Sequence, residues 1–254
     1  MKVGAQMYTI REFCKTPEDI ISSLEKLAEI GFDCVQFSGC GPIDWKVLHE
    51  TCERVGIEVI ITHNPYERIL EDTDNLIEEH RILGCNCIGL GSMPKEARTD
   101  LAAFEKFLDD IAVPMKKIND AGMRFNYHNH AFEFEKLDGK VIMERIVERY
   151  TPEELGITLD QYWVHQGGAD VYQWIDKLKG RLQIVHIKDQ KLEDDRKTAK
   201  MAPIGYGNMN FPGIMAAFKE AGTEYVFIEQ DKCYDEDPFD CLERSLNYLK
   251  SIGF

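Results

Sequence analysis

The segment Phe125–Phe134 reads FNYHNHAFEF and decides how the rest of the chain is interpreted. If it is a strand, Asn126, His128 and His130 share one face, because strand side chains alternate. Glu133 follows three residues later. Imidazoles and a carboxylate this close together are costly to bury unless they pair with one another, with a metal or with water. The segment is therefore either a strand end that carries ligands or the hydrogen-bonded rim of an exposed strand.

Short apolar runs recur along the chain, and a helical pattern follows each of them. The first helix has clear end signals, a capping Thr16-Pro17 pair before it and Gly31 after it. Eight strands that each precede a helix predict a single (β/α)8 barrel, or TIM barrel, over residues 1–254. With the opening segment as the fifth, the predicted strands are Val3–Tyr8, Cys34–Ser38, Ile57–Thr62, Cys85–Leu90, Gly156–Asp160, Leu182–Ile187 and Tyr225–Glu229.

The composition restricts the classes of partner. A chain of 254 residues with 44% hydrophobic residues is long enough for one such barrel. Its formal net charge of −15, without any basic run interleaved with aromatics, argues against nucleic acid and membranes as partners. Eight cysteines are too sparse for a disulfide scaffold, and we find no secretory signal and no apolar run that could cross a bilayer. We expect a cytoplasmic protein; whether it forms a homo-oligomer is left open.

The predicted strand ends converge on one mouth of the barrel, where such folds build their active sites. Three of the polar residues there, Asp160, His186 and Glu229, each end an otherwise apolar run. The full set at the mouth is His63, His128, His130, Glu133, Asp160, His186, Lys188 and Glu229.

Glu133, Asp160 and Glu229 would bring three carboxylates next to the imidazole of His186. Carboxylates forced together repel one another unless a divalent cation compensates them. Oxygen ligands with one nitrogen suit Mn²⁺, Zn²⁺, Mg²⁺ or Co²⁺, and the sequence does not choose among these.

Each candidate also has a purely structural interpretation. A lone histidine at a strand end is usually part of the packing, which applies to His63 and to His165. Lys188 could form an ion pair with Asp189, and Asp160 could cap a helix. Glu229 could form an ion pair with Lys232.

Residues 190–209 interrupt the alternation of strands and helices. They are charged at first and then glycine-rich, which predicts an exposed loop, either a lid over the mouth or a solvated linker. Neither Gly39-Cys40-Gly41 nor Gly205-Tyr206-Gly207 matches a phosphate-binding loop. Cys85 and Cys87 have no second pair at zinc-site spacing.

Taken in order, these motifs resemble the sugar phosphate isomerase/epimerase family, the xylose-isomerase-like TIM-barrel group. The matching segments span the chain: YHNHxxEF at 127–134, LDxxW at 159–163, GGxD at 167–170, HxKD at 186–189, GxGxxxF at 205–211 and IExD at 228–231. The resemblance implies a divalent metal held by Glu133, Asp160, His186 and Glu229. In relatives whose fifth strand ends in a glutamate, that acid falls near His128, so either His128 or Glu133 reaches the ion, and we expect Glu133.

The predicted function is a metal-dependent isomerase or epimerase acting on a sugar, keto-sugar or sugar phosphate. The metal would polarise a carbonyl and stabilise an enediolate after a base removes the neighbouring proton. The candidate bases are His130, His63 and Glu229, and Lys188 would neutralise oxygen charge. The expected substrate-binding residues are His128, Gln161, Trp163 and His165.

Three further classes of function compete with this prediction. A dehydratase or lyase on inosose-like or 3-keto-glycoside substrates would share the first chemical step. An endonuclease is disfavoured by the acidic charge and by too few histidines for a three-zinc site. A non-catalytic sugar-binding barrel would bind its ligand without turnover.

Overall fold

The computed structural model of the chain describes all residues 1–254 and has a closed eight-stranded barrel. All neighbouring strands are parallel, in the order β1-β8-β7-β6-β5-β4-β3-β2, which confirms the predicted fold. The barrel strands are β1 Lys2–Gln6, β2 Cys34–Phe37, β3 Glu58–Asn64, β4 Cys87–Leu90, β5 Arg124–His128, β6 Gly156–Asp160, β7 Ile184–Ile187 and β8 Tyr225–Ile228.

Ten α-helices accompany the barrel. The first begins as predicted, because the Thr16 hydroxyl accepts from the backbone of Asp19 and the Asp19 carboxylate accepts from the backbone of Thr16. None of the helices is long and apolar enough to cross a membrane. They are α1 Pro17–Ile30, α2 Trp45–Val55, α3 Tyr66–Glu71, α4 Thr73–Leu83, α5 Leu101–Asp120, α6 Ile142–Arg149, α7 Gln161–Gln166, α8 Val171–Lys177, α9 Phe211–Glu220 and α10 Pro238–Ser251.

Apolar side chains close the barrel interior at the end where the strands begin. The large residues of this plug include Ile60, Ile184 and Phe227, all buried. Gly4 allows Phe227 to pack there, since a Cβ at Gly4 would lie 2.5 Å from the ring. Because the apolar plug occupies one end, the polar residues of the strands collect at the other.

Residues 190–209 are more ordered than the sequence predicted. Asp189–Leu192 and Ala199–Ala202 pair as an antiparallel hairpin, so the charged residues lie on and between two strands. The glycine-rich part is tied down by Asp189, whose carboxylate accepts hydrogen bonds from the backbone of Gly205, Gly207 and Met209 at 2.9–3.2 Å. The prediction of a loop was wrong for the hairpin strands, because their ladder bonds form only when the two strands meet.

Candidate metal centre

Four side chains from four neighbouring strands meet at the mouth of the barrel. His128 ends β5, Asp160 ends β6, His186 lies in β7 and Glu229 follows β8 directly. Their ligand atoms all lie within 4.8 Å of one another, and all four residues are buried. The parallel register that pairs Asp160 with His186 brings the two middle strands level at this height.

A cavity of about 520 Å³, here called the inner cavity, opens above these residues. Strand ends and βα loops from most of the barrel contribute to its wall. Its lining includes Gln6, Tyr8, Ser38, Gly39, His63, Asn64, Pro65, Tyr66, Gly91, Ser92, His128, His130, Trp163, Lys188, Glu229 and Asp231.

Gln36 fixes which nitrogen of His186 faces the centre. The Gln36 side chain is buried in β2, and its Oε1 lies 2.7 Å from His186 Nε2. An amide oxygen can only accept, so Nε2 carries the proton and Nδ1 presents a lone pair. Burial lowers the pKa of His186, in spite of the nearby Glu229, which keeps the ring neutral near pH 7.

His128 is oriented by a backbone carbonyl. Its Nδ1 lies 2.9 Å from the carbonyl oxygen of Gly91, so Nδ1 donates and Nε2 faces Asp160 Oδ2 at 3.4 Å. Burial lowers the pKa of His128, but the carboxylates of Asp160 and Glu229 outweigh it, and the net shift is upward.

Lys188 is the cation of the centre. Its Nζ lies 3.0 Å from Asp160 Oδ2, 3.0 Å from Glu229 Oε2 and 2.8 Å from Asp231 Oδ1. Burial disfavours the charged lysine, yet these three carboxylates outweigh it and raise its pKa. An ion pair with Asp189 is excluded, because that carboxylate is committed to the glycine-rich segment.

Asp160 both caps a helix and contributes to the polar cluster, the two possibilities considered for it from the sequence. Its Oδ1 caps α7 by accepting from the backbone of Tyr162 and Trp163 at 3.0 and 3.2 Å, while its Oδ2 faces the centre. Glu229 contacts Lys188 and His186 and has no ion pair with Lys232.

The geometry of His186 and Glu229 provides a test of whether the residues fit a metal. Nδ1 of His186 lies only 2.9 Å from Oε2 of Glu229 and has no hydrogen-bond partner, while Oε2 has its ion pair with Lys188 at 3.0 Å. Two lone pairs this close require a proton or a cation between them. With His128 and Asp160 they make a set of two nitrogen and two oxygen donors, which fits a divalent metal ion.

Glu133, predicted as a ligand, lies outside this group, and His128 stands in its place. Glu133 is fully buried in a short 3₁₀ turn, Phe132–Phe134, that folds back beneath β5. One carboxylate oxygen bonds the Tyr127 hydroxyl and the other accepts from the backbone of His130 at 2.8 Å. Burial raises the pKa of Glu133 to about 7, although these hydrogen bonds oppose the rise. Its contacts are those of a residue that fixes the turn after β5.

His63 and His130 lie at the wall of the inner cavity as expected. Burial and the neighbouring His128 lower the pKa of both, that of His130 to about 3, so both rings are neutral near pH 7. Nε2 of His63 and Nδ1 of His130 are buried without a hydrogen-bond partner. Each ring therefore has one buried nitrogen that no group of the protein engages.

The three residues of α7 that were predicted to bind substrate, Gln161, Trp163 and His165, lie in different environments. Trp163 lines the inner cavity. Gln161 is buried behind it and donates to the carbonyl oxygen of Lys188 at 2.5 Å, so it supports the lysine rather than the cavity wall. His165 is exposed on the outer side of α7 and lies outside the inner cavity, because the helix turns away from the mouth.

Sequence reasoning assigned no role to Gln36 or Asp231, and considered Asp189 only as a possible ion-pair partner of Lys188. Asp231 was visible in the IExD motif, and burial next to Glu229 raises its pKa to about 7 even though Lys188 donates to it. Asp189 was visible in HxKD, but its four backbone partners were not. Gln36 had no signal beyond being a polar residue in an apolar strand.

Comparison with known proteins places the fold. No curated protein sequence matches the chain. The closed barrel is similar to a sugar phosphate isomerase/epimerase from Parabacteroides distasonis ATCC 8503, with a TM-score of 0.83 and 21% identity over 98% of this chain and 97% of that one. An L-ribulose 3-epimerase gives a TM-score of 0.77 and 17% identity over 99% and 94% of the two chains.

A third similar structure is an IOLI protein with a bound zinc atom, with a TM-score of 0.76 and 14% identity over 99% of this chain and 98% of that one. At such identities the likeness is one of fold. The sequence evidence is separate, because residues 24–252 match the family model described as xylose isomerase-like TIM barrel. The chain therefore belongs to the xylose isomerase-like TIM barrel family.

Proposed function

We propose that this protein is a divalent-metal-dependent isomerase or epimerase that removes a proton next to the carbonyl of a sugar or keto-sugar. The observation that carries the proposal is the buried cluster of His128, Asp160, His186 and Glu229, in which the Gln36 contact leaves His186 Nδ1 with a lone pair 2.9 Å from Glu229 Oε2. Lys188 pairs with Oε2 but leaves His186 Nδ1 without a partner, and a buried lone pair that faces a carboxylate is costly unless a cation binds there.

The proposed ligands are His128, Asp160, His186 and Glu229. With His128 in the ligand set instead of Glu133, the donors are softer than the three carboxylates and one imidazole expected from the sequence. Two imidazoles favour Zn²⁺, Mn²⁺ or Co²⁺ over Mg²⁺, which prefers oxygen ligands. The zinc atom in the similar IOLI structure supports the same assignment.

A bound cation would polarise the substrate carbonyl and stabilise negative charge on its oxygen. The residues of the chain supply the rest. Lys188 lies 5.2 Å from the ring of Trp163, so an ammonium and an aromatic face border the same space. Lys188, whose N–H groups are shared among three carboxylates, can offset negative charge on a substrate oxygen there through space, while Trp163 excludes water from one side of the sugar.

Proton transfer falls to groups that are unprotonated at neutral pH and face the cavity. His63 and His130 are neutral rings that line the cavity, each with one nitrogen that no protein group engages, and Glu229 is a carboxylate that also lines it. The His130 ring also stacks against Phe132 at 5.8 Å, which restricts its rotation and holds the free nitrogen in place. These three residues are the proposed bases.

The experiment is proton exchange followed by NMR in D₂O, with the metal-loaded protein and a panel of ketoses and 3-keto-glycosides. We expect exchange at the carbon next to the carbonyl for at least one substrate, abolished by Glu229→Gln and reduced at least about 100-fold by His130→Ala. His165→Ala is the matched control, because this exposed histidine lies outside the cavity. Release of a β-substituent during exchange would assign the dehydratase or lyase outcome. No exchange on any substrate with Mn²⁺, Zn²⁺ or Co²⁺ would refute the proposal.

A further inference from the structure

A second cavity of about 320 Å³, here called the outer cavity, adjoins the inner one above β2 and β3. The two cavities share the wall residues Ser38, Gly39, His63, Asn64 and Pro65, so they form one continuous depression. The inner cavity contains all the groups needed to hold and react with one sugar ring. The outer cavity is additional space that a free monosaccharide would not use.

Two glycines in the wall of the outer cavity, Gly39 and Gly41, leave no room for a side chain in the present packing. Gly39 has φ of +71°, and a Cβ there would lie 2.7 Å from the ring of Tyr8. A Cβ at Gly41 would lie 2.0 Å from the carbonyl oxygen of Lys15. The segment is therefore pressed against the loop that follows β1 and presents bare backbone to the cavity.

The facing wall is aromatic and apolar. Trp45, at the start of α2, packs edge to face against Phe37 with ring centroids 6.1 Å apart, and Ile43 lies beside it. Large, partly exposed rings of this kind bind the apolar face of another ring.

One polar group is fixed at the junction of the two cavities. His80 Nδ1 donates to the Leu76 carbonyl at 2.7 Å, so its Nε2 accepts from the Thr62 hydroxyl at 2.7 Å. Thr62 Oγ1 in turn accepts from Asn64 Nδ2 at 2.8 Å. This buried chain holds the amide nitrogen of Asn64 inward and leaves its carbonyl oxygen as an acceptor for a ligand hydroxyl.

Neither cavity offers an uncommitted cation to a phosphate. Lys188, the only lysine or arginine of the inner cavity, is paired with three carboxylates at 2.8–3.0 Å. Arg68, the only one of the outer cavity, is paired with Glu79 at 2.6 Å and Asp72 at 3.3 Å. No carboxylate lines the outer cavity. A charged substituent would therefore lose its hydration without gaining a partner.

We propose that the substrate is an uncharged keto-glycoside, whose ring ketone supplies the carbonyl, with its sugar ring in the inner cavity and the ring of its aglycone or second sugar in the outer cavity against Trp45. This inference rests on the proposed function, because it takes the inner cavity as the sugar site. It assigns specificity to Trp45 and Asn64, which lie away from the metal centre.

The test measures binding to the full-length protein saturated with Mn²⁺. The probes are the methyl and phenyl β-glycosides of glucose, galactose, mannose and xylose, which lack the ketone and so bind without reacting, together with the corresponding hexose 6-phosphates. For at least one sugar we expect the phenyl glycoside to bind about tenfold more tightly than the methyl glycoside, the gain of one aromatic contact. The hexose 6-phosphates should bind more weakly than either. Saturation-transfer NMR should show the phenyl protons as close to the protein as those of the sugar.

Trp45→Ala should remove the phenyl gain and leave methyl glycoside affinity within about twofold. Tyr172→Ala is the control, because this exposed aromatic lines neither cavity. Equal binding of phenyl and methyl glycosides, a gain that survives Trp45→Ala, or preference for a phosphate would overturn the inference and leave the proposed function standing. Failure of every sugar to bind would overturn both. If Trp45→Ala does not fold, saturation transfer to the phenyl protons in the wild-type complex still tests whether the aglycone contacts the protein.

Discussion

The two sides of the barrel mouth differ in how many charged side chains they bury. On the side of β5 to β8, charged groups are buried and paired with one another around Lys188. On the side of β2 and β3, the only charged lining residue is Arg68, which is paired with Glu79 and Asp72, and the rest of the wall is uncharged backbone, Asn64 and aromatic rings. Buried charges need partners at fixed distances, whereas a neutral surface needs only shape. The first side is suited to hold an ion and the second to choose a ligand.

The largest effect should come from the choice between His128 and Glu133. His128→Ala removes a proposed ligand and should weaken Mn²⁺ or Zn²⁺ binding about a thousandfold, since loss of groups that only orient ligands already costs about 10–100-fold. Glu133→Gln should change affinity less than about threefold, an order-of-magnitude expectation for a residue outside the cluster. Calorimetric titration of both variants decides the matter. A large loss in Glu133→Gln with none in His128→Ala would restore the ligand set expected from the sequence.

The change of unfolding free energy with pH should report the protonation of the buried Glu133. Because burial raises its pKa from 4.5 to about 7, the folded state favours the neutral acid. The associated stability is present in full below pH 4.5 and is lost as the pH rises through 7. Relative to the wild type, Glu133→Gln should therefore gain about 3 kcal/mol in unfolding free energy across this window.

Urea unfolding at a series of pH values measures this difference. Glu135→Gln, an exposed carboxylate two residues away, is the control and should show no such trend. A flat difference for Glu133→Gln would mean that Glu133 stays ionised in the fold.

Gln36 links the two sides of the mouth, since it lies in β2 and orients His186 in β7. Gln36→Met keeps the volume but removes the acceptor, so metal affinity should fall about 10–100-fold. Gln6→Met is the matched control. Gln6 is also buried and pairs with Gln36 in the strand register, but it bonds Ser38 and the backbone of Tyr8. Equal losses in the two variants would assign Gln36 a packing role only.

The smallest effect concerns Lys188. Its ammonium lies 3.0 Å from an oxygen of each proposed carboxylate ligand and competes with a metal for them. Lys188→Met should tighten metal binding about tenfold while abolishing proton exchange. Lys232→Met changes the net charge equally from an exposed position and should alter neither. Weaker metal binding in Lys188→Met would show that the lysine organises the ligands.

Sequence patterns predicted the barrel well and the centre in part. The structure brings Asp160, His186 and Glu229 together because each follows or ends an apolar run, and strand ends of a parallel barrel meet at one mouth. Glu133, expected as a ligand, lies outside this cluster, because a residue three positions beyond a strand is no longer held by strand alternation. His165, expected at the substrate, is exposed in α7 and lies outside the inner cavity.

Hydrophobic periodicity and chain order are local properties, so the sequence was enough to predict the fold, the family and the mouth where the polar strand ends meet. Contacts made in the folded chain show that His128 rather than Glu133 lies in the cluster, that Gln36 orients His186, and that a second cavity without carboxylates adjoins the first. These depend on distances between residues remote in the chain. Such distances are fixed when buried polar groups find partners as the barrel closes, and no local pattern records them.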